Sequence, residues 1–330
     1  MSRPRVLAAC TTAIGDTMFC SPALVAMGRS FDVDVLVHQK RRPLLQENPY
    51  IASLYPYRNN AFSRAYVAAA LAGKHYQSLV VLHANDDLIK LMPRLRYDQA
   101  VNIQGWRDPQ LHLEALPRNP KVHAVDERLR LAQWVGAEIQ PQDRFMRMFL
   151  RPEEGEYAEG WLREMGMRPN RLRVGLVLGA SAQYRRWQAE RFGRVAAALY
   201  SKGVEVIHIG DGSERDLARR AETAAGREFY KGYNLSLRLL GAVLSRLDLV
   251  ISNDTGPLHL GQAVQTPVLG LFGPTDPAKV GPRGPRDRVL KVPATCHPCA
   301  DKGCLDPVCM EQLHEEMVIE TTLEMLGLQS

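Results

Sequence analysis

The chain has 330 residues, 45% of them hydrophobic and 24% charged, which suits a globular protein with two domains and two cores. The net charge of +6 points to a partner with phosphates or carboxylates, and with no helix-turn-helix, zinc-finger or RNA-recognition signature present, nucleic acid is set aside. No apolar run approaches the ~18 residues of a membrane-spanning helix.

Arg3 and Arg5 ahead of Val6–Cys10 loosely mimic a signal peptide. The apolar run is short, however, and reaches Gly15-Asp16 without a cleavage site, so a first strand and a cytoplasmic location are expected. In chain order, Arg5–Cys10 reads as a buried strand, Thr11–Asp16 as a polar loop and Thr17–Gly28 as a helix. Strand, loop and helix open a Rossmann-like unit. The loop TTAIGD lacks G-x-G-x-x-G, which argues against a dinucleotide. Asp16 reads either as a helix N-cap or as a carboxylate shown at the carboxyl edge of a parallel sheet, where α/β proteins do their chemistry.

Asp32–Val37, Leu79–His83 and Ala100–Ile103 read as further strands, and a helix runs from about His123 to Gly136. Lys90, Arg94, Arg96, Arg107, Arg118 and Lys121 are an ordinary solvated scatter unless collected on one rim, where they would suit an anionic saccharide. A charged helix over Glu153–Met165 is punctuated by Arg168-Pro169-Asn170 and links two halves. Val174–Leu178 restarts a parallel sheet and leads to the loop Tyr184-Arg185-Arg186-Trp187. Val204–Ile209 is the next strand. Beyond it Glu214 starts a helix and stabilises its first turn.

After a leucine-rich helix over Ser236–Leu247 comes the stretch Leu249–Leu260. It reads as a buried strand, a sharp turn through Ser252-Asn253-Asp254-Thr255-Gly256, and a helix opening at Pro257. The amides of Thr255, Gly256 and the first helical turn, with the helix dipole, suit a diphosphate. Asp254 and His259 flank that position, and Gly256 is expected in a turn favouring a positive dihedral. A plain α/β turn capped by Asp or Thr is the alternative. Thr266–Pro277 adds a strand and a Gly/Pro loop, and Val318–Leu328 a last helix.

Cys10 and Cys20 read as small buried side chains. Cys296, Cys299, Cys304 and Cys309 are spaced C-x2-C-x4-C-x4-C. In a cytoplasmic protein such thiols could wrap a structural zinc or iron, or form a metal-free knot.

Together, DTGPLH at 254–259, FGPTDP at 272–277 and AIGDTMFCSPAL at 13–24 resemble glycosyltransferase family nine, the bacterial lipopolysaccharide heptosyltransferases. That family carries a D-[TS]-G-x-x-H loop, a G-P-T-x-P turn and a G-D-x5-P-A-L segment. Asn48-Pro49-Tyr50-Ile51 and His123-Ala124-Val125-Asp126 are similar to it as well. The resemblance implies an α/β fold of GT-B architecture, with two Rossmann-like domains whose parallel sheets face a central cleft. Residues 1–155 would be the acceptor domain and 156–310 the nucleotide-sugar domain, with 311–330 a helix packing back on the first.

It further implies an inverting transferase that moves a heptose from an ADP-activated donor to an anionic saccharide or glycolipid in lipopolysaccharide core assembly. Asp16 would be the base, and Arg185, Glu214, Asp254, Thr255, Gly256 and His259 would bind the donor. No cofactor would be required, and membrane contact would be peripheral at most. Arg185 and Gln188 depart from the family's lysine and proline around the tryptophan. Arginine still holds phosphate, but a proton-donating ammonium is lost. A GT-B enzyme for another nucleotide sugar and a transfer-deficient binding protein are the rival readings.

Overall fold

The computed structural model describes residues 3–294, 296, 299, 304 and 306–329. They fall into two compact units, Met1–Phe149 and Leu150–Ser330, so the division lies a few residues before the expected one.

The first unit contains, in order, β1 (Arg5–Cys10), α1 (Ile14–Gly28), β2 (Asp32–His38), β3 (Ser53–Tyr57), α2 (Ala61–Leu71), β4 (Tyr76–His83), β5 (Tyr97–Asn102), β6 (Leu113–Ala115) and α3 (Ala124–Trp134). Its six strands are parallel in the order β3-β2-β1-β4-β5-β6. The second contains α4 (Pro152–Glu164), β7 (Arg173–Val177), α5 (Ala189–Ser201), β8 (Glu205–Gly210), α6 (Arg215–Ala225), β9 (Tyr230–Tyr233), α7 (Leu237–Leu244), β10 (Leu249–Asn253), α8 (Gly256–Ala263), β11 (Val268–Phe272), α9 (Pro277–Val280), β12 (Arg288–Lys291), α10 (Val308–Glu311) and α11 (Glu315–Met325). Here the order is β12-β11-β10-β7-β8-β9, again all parallel.

Counted from its own first strand, each sheet has the order 3-2-1-4-5-6 of a Rossmann domain, so chemistry belongs where the order reverses, at the carboxyl ends of the first and fourth strands. Those ends are β1 and β4 in one unit and β7 and β10 in the other. Strands buried on both faces carry unbroken apolar runs, as in VLAA of β1 and LVIS of β10.

Helix α1 begins three residues earlier than the sequence suggests. Ala13 is its N-cap and makes no side-chain cap bond, while the amide and hydroxyl of Thr17 both donate to the Ala13 carbonyl. Asp16 therefore lies within the first turn and is not the cap. Pro22 sits inside this helix and offers no N–H to the Met18 carbonyl; the Ser21 hydroxyl donates to it instead, at 2.8 Å.

Val318 and Leu323 of α11 belong to the second unit's core, and Glu315 pairs with Arg191 and Arg194 of α5, so the buried face of this helix serves the second unit. Among the described residues no helix is long and apolar enough to cross a membrane.

Candidate functional site

In the first unit the switch-point loops display Asp16. Its Oδ2 lies 3.8 Å from His83 Nδ1 at the end of β4, and its Oδ1 lies 3.8 Å from Arg128 Nη2 on α3. Arg128 is almost wholly buried: it stands over the Phe19 ring and donates to the Ala124 carbonyl at 3.0 Å. Thr12 Oγ1 is 2.8 Å from His83 Nδ1. Burial lowers His83 below the ordinary imidazole value; Asp16 opposes that shift, while Arg128 and Arg118 add to it. The result is a half-exposed carboxylate bracketed by an imidazole and a fixed guanidinium.

The basic scatter of this unit does not gather on one rim. Arg96 immediately precedes β5 and so lies at the amino edge of the sheet, while Arg118 follows β6 on the carboxyl side and stands near Glu127.

In the second unit the loop after β10 carries Asp254, Thr255 and Gly256 into α8. Thr255 is the N-cap, with no side-chain cap bond, and Gly256 and Pro257 open the helix. The helix starts at Gly256, one residue before the expected Pro257, and Gly256 is not among the residues with positive φ, so the expected positive dihedral is not used. What Gly256 offers is the lack of a side chain at a helix mouth whose first amides have no partner within the helix.

Asp254 is nearly buried. One oxygen faces His259 Nε2 at 3.7 Å and the other faces Arg185 Nη1 at 3.4 Å. Burial pushes its carboxyl up, but hydrogen bonds from His259 and Thr275 and the charge of Arg185 outweigh it and leave the group below its ordinary value. Arg185 and Asp254, 69 positions apart along the chain, thus meet with His259 at the mouth of α8.

The arginine loop is anchored by a residue to which sequence reasoning gave no role. Asn253, fully buried, accepts from the Trp187 amide at 2.9 Å and donates to the Leu178 carbonyl at 2.8 Å. Trp187 in turn donates its indole N–H to the Leu313 carbonyl at 2.7 Å. Arg186 donates twice to the Ala180 carbonyl, at 3.0 and 2.9 Å. These bonds tie the loop after β7 to the end of β10, and so fix where Arg185 can reach.

Beside this lies a cavity of about 660 Å³, lined among others by Gly179, Ser181, Gly210, Glu214, Thr255 and Pro257. Glu214 is the N-cap residue of α6, but its carboxylate makes no capping bond. It folds over two glycines: a Cβ on Gly179 would come within 2.0 Å of its Oε1, and one on Gly210 within 2.4 Å of its Oε2. The carboxylate thus forms part of the cavity wall.

Cys296, Cys299, Cys304 and Cys309 line a separate small cavity with Tyr184 and Pro274. The donor chemistry suits zinc or iron, but among the described residues no three His, Cys, Asp or Glu side chains are placed to hold a metal ion. Burial, with Cys296 and Cys299 nearby, pushes the Cys309 thiol up, toward the protonated form. The geometry is that of a thiol cluster packed behind the arginine loop, not of an assembled ligand set.

Two Rossmann sheets, with a carboxylate at the switch point of one unit and a helix N-terminus beside a cavity of about 660 Å³ in the other, have the architecture of a GT-B glycosyltransferase. The sequence model of Glycosyltransferase family 9 (heptosyltransferase) matches residues 115–309, and the chain belongs to that family. It is 26% identical over 299 residues to Lipopolysaccharide heptosyltransferase 3 of Escherichia coli K12, covering 79% of this chain and 80% of that protein. A family 9 glycosyltransferase structure from Veillonella parvula superposes with a TM-score of 0.86 at 20% identity, over 99% of this chain and 98% of that one. The E. coli heptosyltransferase WaaC with ADP superposes with a TM-score of 0.74 at 19% identity, over 97% and 99% of the two chains.

Proposed function

We propose that this glycosyltransferase moves a heptose from an ADP-activated donor to an anionic saccharide or glycolipid acceptor of the lipopolysaccharide core, with inversion at the anomeric carbon. The observation that carries the reading is the convergence of Arg185, Asp254 and His259 on the mouth of α8. The names of relatives support the sugar, and the WaaC structure holds ADP.

The donor diphosphate lies at the first amides of α8, where Thr255 and Gly256 approach it with backbone only. Arg185 supplies charge and His259 a further donor. Asp254, itself a carboxylate, does not touch phosphate; it holds Arg185 and His259 in place from behind. Glu214 accepts from the ribose hydroxyls.

In transfer, Asp16 takes the proton of the acceptor hydroxyl as that oxygen forms the new bond to the anomeric carbon. The bond from that carbon to the diphosphate oxygen breaks on the opposite face, and the electron pair leaves with ADP. Arg185, His259 and the α8 amides stabilise the charge that develops there. These groups supply the base and the charge stabilisation, so the route calls for no cofactor.

Calorimetric titration with ADP-, UDP- and GDP-sugars tests the donor, and ADP release in the presence of core saccharides tests transfer. Tightest binding by ADP-heptose and acceptor-dependent ADP release are expected. Preference for another base, or binding without turnover on any acceptor, would overturn the reading.

A further inference from the structure

Behind Glu214 lies a buried pair that the transfer reaction does not use. His208, on β8, has no exposed surface, and its Nε2 is 3.3 Å from Glu214 Oε2. Its other nitrogen, Nδ1, is 3.1 Å from the hydroxyl of Tyr233 at the end of β9, and the two rings meet edge to face at 5.2 Å. His208 Nε2 and Glu214 Oε2 are both buried and neither meets hydrogen-bond geometry with any group, so their 3.3 Å approach to one another is the polar contact each has. An imidazole on the fully buried inner side of a sheet is costly unless both nitrogens are used. Here they face a phenol on one side and a carboxylate on the other.

The order of donors follows from the chemistry. Burial, with the nearby carboxylates of Glu222 and Glu214, raises the Tyr233 phenol above its ordinary value, so it remains protonated and can donate to Nδ1. The imidazole then carries its hydrogen on Nε2, the nitrogen that faces Glu214. A carboxylate can only accept, so this is the tautomer that matches it. Gly179 and Gly210 leave room for the carboxylate, since a Cβ on either would strike it.

We infer that His208 and Tyr233 are positioning residues that fix the Glu214 carboxylate, leaving Oε1 turned toward a vicinal diol such as the ribose of a nucleoside diphosphate. This rests on the assignment of Glu214 to the ribose made above. Neither residue touches the ligand. They act by holding one oxygen of Glu214, which removes the rotamer freedom that binding would otherwise have to restrict.

The test is calorimetry with ADP and 2′,3′-dideoxy-ADP, which share base and diphosphate and differ only in the diol. The wild-type protein should prefer ADP by about tenfold or more, and Glu214→Ala should abolish that preference. His208→Leu should remove most of it while leaving dideoxy-ADP affinity unchanged, a selectivity that a general loss of structure would not produce. His208→Gln, whose amide nitrogen reaches the Nε2 position, should restore it, and Tyr233→Phe should show a partial loss. A folded His208→Leu with the wild-type preference overturns the inference while leaving the role of Glu214 standing. If His208→Leu does not fold, Tyr233→Phe decides, and an intact preference in it is the refuting result. A preference that survives Glu214→Ala refutes the ribose assignment and the positioning pair together.

Discussion

Asp16→Asn separates catalysis from structure because the carboxylate's structural duties are small. It is not the cap of α1, and among the described residues its charged contacts are His83 and Arg128, both at 3.8 Å. Losing the charge forfeits a first-turn dipole interaction of about 0.3–1 kcal/mol. It also leaves the buried Arg128 with a neutral partner of the same shape. With the side chain about 29% exposed, solvent screens that pair, and a total stability loss of roughly 1 kcal/mol is expected. For a unit of this size that lowers its melting temperature by roughly 2–4 °C. Removing a general base costs about 10²–10⁴ in rate, or roughly 2.7–5.4 kcal/mol of barrier. Turnover measured as ADP release should therefore collapse, while ADP affinity measured by calorimetry and the unfolding curve hardly move. Near-wild-type turnover in the folded variant would show that Asp16 is not the base, and a melting temperature lower by far more than this would show that its role is structural.

Gly256→Val should weaken ADP strongly and adenosine hardly at all, since no positive dihedral is lost and only bulk at the helix mouth is added; His259→Ala should do the same more mildly, by about 1–3 kcal/mol. An unchanged ADP affinity in a folded Gly256→Val protein would place the diphosphate elsewhere. Asn253→Leu orphans the Trp187 amide and the Leu178 carbonyl, at about 1–3 kcal/mol for each buried group; scanning calorimetry should show the second unit destabilised and ADP binding lost with it, and an unshifted transition would mean the loop is held by other bonds. Asp254 sits below its ordinary carboxyl value of 3.8 when folded, so its stabilising contribution is full above that value and is lost as pH falls through the lower folded one. Asp254→Asn should accordingly flatten the acid limb of the second unit's stability profile, and an acid limb identical to wild type would contradict the pairing.

What the sequence made legible were the inner strands and the loops at their carboxyl ends. Continuous apolar runs mark β1, β4, β7, β10 and β11, and polar or glycine-rich turns follow them. The edge strands were hidden because they lack that signature. Tyr230–Tyr233 carries Lys231 and Gly232, and Ser53–Tyr57 carries Pro56, which is tolerated only at an edge. Helix α5 was hidden for a different reason. Gly193 lies within it because the backbone carbonyl of Ala221 approaches to where a Cβ would be, 2.2 Å away. Nor could the start of α1 be read, since its cap is an alanine. The pairing of Arg185 with Asp254 depends on Asn253 stitching two strand ends together, which is information held in the fold and not in spacing.

The two units share one topology and place an aspartate at each switch point, and the surroundings of the two aspartates differ. Asp254 is nearly buried, has partners in Arg185, His259 and Thr275, and is held below its ordinary value. Such a carboxylate is a poor base, because protonation would weaken its contacts with Arg185 and His259. Asp16 stands more open, with its charged neighbours at 3.8 Å and no capping bond to lose. Burial keeps the neighbouring His83 below the ordinary imidazole value. Asp16 follows the first strand of its sheet and Asp254 the fourth strand of the other, so the same residue type stands on different sides of the switch point in two copies of one fold. Partner number and burial are what distinguish the two carboxylates.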